Sequence, residues 1–205
     1  MAELIGIAIP QELQDLTLPS PDELNYWNLR QQRTFFIDYE IDEHYSLIEL
    51  AKEIIRINNE EKDIENPEPI VLYIHSYGGD VRQAIFFCDL IESSRVPVIT
   101  VAAGAAMSAG FLIFLAGKRR YAFKHTKVLI HQGSGSATGN YEEMDAAQRM
   151  FKDEVNSMRD YILSHTKIYE TTYEKKKSKE WYIGGEKLVT YGIADKIIEN
   201  LSEIK

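Results

Sequence analysis

Cysteine is nearly absent from this chain, and with it one whole class of architecture. The single thiol, Cys88, cannot form an internal disulfide, so a packed core must hold the fold, and the composition suits a reducing compartment. Positive charge is also in short supply: 23 Lys and Arg stand against 32 Asp and Glu, a net charge of −9. That balance offers no electrostatic footprint for nucleic acid or for an anionic membrane surface. Neither GxGxxG nor a P-loop occurs, so the chain has no phosphate cradle of its own and any use of ATP must come from a partner. The opening stretch MAELIGIAIPQELQDL contains no Lys or Arg, which is wrong for a secretory signal and points to a cytoplasmic location.

Long apolar runs are missing too, with one exception. Val96–Gly117, VPVITVAAGAAMSAGFLIFLAG, holds no charge between Arg95 and Lys118 and is formally long enough to cross a bilayer as a helix. Its residue types argue otherwise. Val98–Val101 is β-branched and reads as a strand, Gly104 interrupts the run, and Ser108–Leu115 is rich in Ala, Leu and Phe and reads as a helix. The expectation is a buried strand, a tight turn and a buried helix, with no membrane span. Ser108 then stands at a strand-to-helix junction among Ala106, Ala109 and Gly110. Two readings of it are open: a helix N-cap, or a nucleophile on a sharp turn whose small neighbours admit a carbonyl and whose free amides can hold an oxyanion.

At 205 residues, 44% of them apolar, the chain suits one domain preceded by an arm. Residues 1–30 hold three of the six prolines and no clear period, and are read as the arm; residues 31–205 form the domain. Arg33–Ile41 predicts a strand. Leu47, Leu50, Ala51, Ile54 and Asn58 then mark an amphipathic helix, with Asp42 and Glu43 before it, and an acidic loop follows. Pro69–Ser76 reads as a strand buried on both faces and leads directly into Gly78-Gly79, where amides can point at a ligand or merely make a turn. A helix from Asp80 places Cys88 in an apolar stripe, as a buried thiol rather than a nucleophile. Arg119–Phe123 and Lys127–His131 are two short strands, the second ending on His131 before a loop containing Gly133, Ser134 and Gly135. His131 is either an ordinary surface histidine or a group facing a cleft. Asn140 and Glu143 open a long helix to about His165, with Met144, Ala147, Phe151, Val155, Met158 and Ile162 on one stripe; the basic run Lys175–Lys179 reads as a solvated helix face. Repeated ββα-like units suggest an α/β fold of stacked turns rather than a flat doubly wound sheet.

Gly78-Gly79, Ala105-Ala106-Met107-Ser108-Ala109-Gly110, Val128-Leu129-Ile130-His131-Gln132 and Tyr191-Gly192-Ile193-Ala194-Asp195 together resemble, in that order, the signatures of the Clp protease proteolytic subunit family. The resemblance runs from about residue 33 to residue 200. It implies a crotonase-like stacked ββα superhelix, in which residues 140–165 form the handle helix, and a serine endopeptidase that cleaves unfolded polypeptides inside a self-compartmentalising homo-oligomer of stacked heptameric rings fed by an AAA+ unfoldase. It implies Ser108 as nucleophile, His131 as general base, the Gly79 and Ala109 amides as oxyanion hole, and Gly78 with Gly133, Ser134 and Gly135 as the peptide-binding edge. No cofactor or metal is implied. The third triad position, counted from His165 to Gly192, falls on Glu180 where the family has aspartate, and Tyr77 replaces the family's proline before the glycine pair. Those departures motivate an alternative, a weakly active or inactive paralogue that builds or regulates a ring. A crotonase-type acyl-CoA enzyme would share the fold but leave the pairing of Ser108 with His131 without a role.

Overall fold

The structure, a computed structural model, describes residues 19–42 and 46–204. The part of the predicted arm covering 1–18, and Glu43, lie outside the described residues. The chain divides between Gln32 and Arg33 into two units. In the first, α1 (Pro21–Gln31) opens on a capping box between Ser20 and Glu23, and none of its residues is buried.

The second unit follows the predicted order: β1 (Thr34–Ile37), α2 (Ser46–Glu60), β2 (Ile70–Ser76), α3 (Val81–Ser93), β3 (Val98–Met107), α4 (Ala109–Leu115), β4 (Arg119–Phe123), β5 (Lys127–Ile130) and α5 (Tyr141–His165). It continues with α6 (Glu170–Lys176), β6 (Trp181–Gly184), α7 (Lys187–Thr190) and β7 (Lys196–Ile198), short elements with too few residues to show a period. β1, β2, β3, β4 and β7 are neighbours in a parallel sheet, and β5 leaves it by pairing with the far end of β3 and, antiparallel, with β6. This is the crotonase-like α/β architecture that the sequence predicts.

Two expectations need correction. The uncharged run does not break at Gly104: β3 continues to Met107. Residues 99–102 pair with β4 and residues 105–107 with β5, so the strand changes partner at Gly104, whose φ of +81° allows the bend. The buried Thr126 hydroxyl donates to the Ala102 carbonyl and accepts from the Gly104 amide at 2.8 and 3.2 Å, satisfying the groups that the change of partner leaves unpaired. The second correction concerns β2. Ile70, Leu72, Ile74 and Ser76 are buried, but Val71 and Tyr73 are only half-buried and His75 is exposed. One face meets the main core; the other meets a smaller cluster of Ile99, Val101, Tyr121 and Ile198.

All seven residues of α4 are buried, which explains a helix with no charge. No helix among the described residues is long and apolar enough to cross a membrane. Cys88 is fully buried in the stripe predicted for it, and burial pushes its thiol up to about 12. Helix α5 keeps its stripe only in part: Met158 and Ile162 are buried, whereas Met144 and Phe151, nearer its start, are exposed.

Candidate active site

Ser108 lies between the end of β3 and the start of α4 with φ 53° and ψ −121°, a conformation that L-residues adopt at a cost of about 1–3 kcal/mol. The packing imposes it. Met107 is in register with Leu129 of β5, and the Ser108 amide donates to the Leu129 carbonyl at 3.0 Å, ending the strand. One residue later the chain must enter α4, whose Phe111 amide already takes the Ser108 carbonyl at 3.0 Å. The turn therefore falls on a single residue. Its side chain makes no capping hydrogen bond, so the N-cap reading of Ser108 does not hold. Instead its Oγ lies 2.7 Å from Nε2 of half-buried His131, the first residue beyond β5. β5 runs beside β3, and the same pairing that ends β3 brings the imidazole to the hydroxyl.

The glycine pair borders this turn. A Cβ on buried Gly78 would lie 2.7 Å from Ser108 Cβ, and one on Gly79 would lie 1.9 Å from the Ile41 carbonyl oxygen. Both have positive φ, 108° and 137°. The glycines are thus required by the chain's own backbone and not solely by the room an incoming carbonyl needs. Several bonds fix the pair. The Ile41 amide donates to the Gly78 carbonyl at 2.8 Å and the Asp80 amide to the Ile41 carbonyl at 2.5 Å. The buried Ser76 hydroxyl donates to the Tyr39 carbonyl at 2.7 Å and accepts from the Gly78 amide at 3.2 Å. Asp80 caps α3 through the Gln83 amide. Among the described residues the amides of Gly79 and Ala109 have no protein acceptor, leaving one free donor on the residue after Ser108 and another on the residue after Gly78. The clamping roles of Ser76 and Ile41 escape a sequence reading; the one available signal is a lone serine at the end of an otherwise apolar strand.

Residues 132–138, including Gly133, Ser134 and Gly135, run without regular structure along a cleft of about 790 Å³. Gly79 and Arg82 line it on one side, and Tyr141, Met144 and Phe151 of α5 on the other. Arg82 Nε donates to Glu154 at 2.6 Å, tying α3 to α5 across the cleft. Behind the hydroxyl and imidazole, Val81, Phe111, Leu112, Leu129 and Met158 line a small, tight apolar pocket.

Glu180 does not meet His131. Its carboxylate accepts a hydrogen bond from the Tyr182 hydroxyl at 2.8 Å, and no hydrogen bond or ion pair among the described residues joins it to the imidazole. The antiparallel pairing of β5 with β6 matches Leu129 to Tyr182 and ends at Ile130 and Trp181, and His131 and Glu180 are the next residues beyond that last pair.

The arrangement combines a hydroxyl on a forced turn, an imidazole at hydrogen-bond distance, two unpaired amides and an adjoining cleft. It can perform nucleophilic acyl transfer. Comparisons with known proteins agree with it. Residues 23–201 match the family model described as Clp protease. The chain is similar to the ATP-dependent Clp protease proteolytic subunit of Deinococcus radiodurans, 28% identical over 148 residues covering 69% of this chain and 71% of the relative. It is similar to the protein of the same description from Dehalococcoides mccartyi, 25% identical over 176 residues covering 85% of this chain and 86% of the relative.

Proposed function

We propose a function from one premise: this chain belongs to the Clp protease family. It is therefore a protease of the serine type, and what remains to be assigned is the role of each residue. Ser108 Oγ attacks the scissile carbonyl while His131 Nε2 takes its proton; the observation that carries this reading is their 2.7 Å separation on a strained turn. The oxyanion that forms is held by the Gly79 and Ala109 amides, which have no competing acceptor among the described residues. His131 returns the proton to the leaving amine, and water, deprotonated by the same imidazole, then releases the acyl group from Ser108. The substrate lies extended along Gln132–Gly135, its main chain pairing with that exposed edge, and Gly78, whose missing side chain would meet Ser108, leaves room for the scissile carbonyl. Glu180 serves as the carboxylate that orients His131 when it turns toward the ring.

The substrate is an unfolded polypeptide, and the active form is a homo-oligomeric ring in the cytoplasm, formed by residues 31–205 and fed by an AAA+ unfoldase. Support for assembly is the stripe on α5 that the single chain leaves exposed: Tyr141 is 84% and Met144 49% accessible. A second reading, a weakly active subunit that builds or regulates a ring, is favoured by the engagement of Glu180 with Tyr182.

One experiment separates the two. Hydrolysis of a short fluorogenic peptide, fluorophosphonate labelling and assembly mass are measured for the wild type and Ser108→Ala. Cleavage and labelling that vanish in Ser108→Ala, with assembly retained, support the peptidase. Assembly of both without cleavage or labelling supports the ring-building subunit and refutes the peptidase.

A further inference from the structure

The Glu180 carboxylate has two possible partners on one face of the β5–β6 ladder. Tyr182, two residues along, projects to the same side as Glu180 because side chains alternate along a strand, and it is matched directly to Leu129. His131, two residues beyond Leu129, is on that side as well, opposite Glu180 once the register is carried one step. Directly opposed residues have Cβ atoms roughly 5 Å apart, within reach of a glutamate and an imidazole. The longer reach of glutamate over aspartate is what makes the alternative available, since the extra methylene lets the carboxylate fold back along its own strand to a hydroxyl at the second residue. The structure records that alternative: Tyr182 donates to Glu180 at 2.8 Å, and the carboxylate is not engaged with His131. Tyr182 is about half exposed, its hydroxyl makes no other hydrogen bond among the described residues, and the neighbouring carboxylate raises its hydroxyl pKa further above neutrality, so it remains a donor.

We propose that Tyr182 is a positioning residue that competes with His131 for the Glu180 carboxylate, so that only the fraction of molecules in which Glu180 leaves Tyr182 has an oriented imidazole. This rests on the peptidase reading above. It gives that reading a specific consequence: the departure from aspartate does not remove the third group but divides it between two partners, and the phenol of Tyr182 sets the division. A hydroxyl holding an exposed carboxylate biases such an equilibrium by roughly threefold to tenfold. Removing it while keeping the ring returns that factor to catalysis.

The test uses the full-length assembled protein, with kcat and KM for a fluorogenic peptide and the rate of Ser108 labelling by a fluorophosphonate, in wild type, Tyr182→Phe, Glu180→Gln and the double variant. The expected result is a rise in kcat and labelling rate of roughly threefold to tenfold for Tyr182→Phe, with KM unchanged and no rise when Glu180 is already glutamine. An unchanged or lower kcat for Tyr182→Phe overturns the proposal, as does a rise that persists in the Glu180→Gln background. A crystal structure of Tyr182→Phe gives an independent readout: a Glu180 carboxylate on His131 Nδ1 supports the proposal, and one that stays away from the ring overturns it. Failure of the underlying reading has a different signature, the absence of fluorophosphonate labelling in every variant, wild type included.

Discussion

Replacing Gly79 by alanine tests whether the glycine turn supplies the oxyanion amide. The new Cβ would begin 1.9 Å from the Ile41 carbonyl oxygen, 2.7 Å from its carbon and 2.9 Å from the Ile41 nitrogen, all main-chain atoms, whereas ordinary contact starts at 3.4 Å. No flexible side chain can yield. Either segment 39–41 or segment 78–80 must move by more than an ångström, and the bonds between Ile41 and its neighbours Gly78 and Asp80 are what resist. The φ of 137° adds about 1–3 kcal/mol of strain for any L side chain. An ångström of misplacement costs about a hundredfold in a catalytic arrangement, and loss of one oxyanion donor costs about 100- to 1,000-fold in kcat. The expected phenotype is therefore a kcat lower by two to three orders of magnitude, KM nearly unchanged, and a lower melting temperature. Steady-state hydrolysis of a fluorogenic peptide and a thermal melt read both. A kcat within about threefold of wild type, a transition-state effect below 1 kcal/mol, would refute the placement of the Gly79 amide at the oxyanion.

Three further predictions concern stability. Ser108→Gly abolishes peptidase activity yet raises stability by about 1 kcal/mol in a thermal melt, because glycine accepts φ 53° and ψ −121° without strain; Ser108→Ala loses activity with no such gain. Thr126→Val leaves the Ala102 carbonyl and the Gly104 amide without their partner and lowers stability by about 1–3 kcal/mol in chemical denaturation, with no change in the Ser108 labelling rate per folded molecule. Cys88 is protonated and buried, so native protein at pH 8 resists thiol reagents that label the unfolded chain at once. Since folding raises this thiol from 9.0 to about 12, the folded state holds the proton that the unfolded state releases, and the contribution is lost as pH rises from 9 toward 12.

Much of the fold is legible in the residues. β-branched and apolar content marked β2, the start of β3 and β5, three- and four-residue spacing marked α2, α3 and α5, and the Asn140–Glu143 capping box marked the start of α5. The later elements α6, α7, β6 and β7 span three to seven residues, too short for a period to emerge. Gly104 misled for a related reason: a glycine in an apolar run signals a break, whereas here Thr126, distant in sequence, completes the ladder and lets the strand go on. The exposed half of the α5 stripe has the same apolar pattern as the buried half, and periodicity records pattern without recording what covers it.

The sequence by itself determined which chemical groups are available: a serine among small residues, a histidine before a glycine-rich loop, paired glycines, and a glutamate in a segment where the family has aspartate. These follow from local residue types and order, which a single chain carries openly. Tertiary structure alone decided their relations. Pairing between β3 and β5 joined Ser108 to His131 across 23 residues of sequence, and pairing between Ile41 and the glycine turn fixed the amides. The β5–β6 register placed His131 and Glu180 just beyond the last pair of the ladder, Ile130 and Trp181, while the Glu180 carboxylate took the Tyr182 hydroxyl. Distances between groups far apart in sequence depend on strand register and on which face each side chain takes, and a shift of one residue would reverse those faces without altering any local signal.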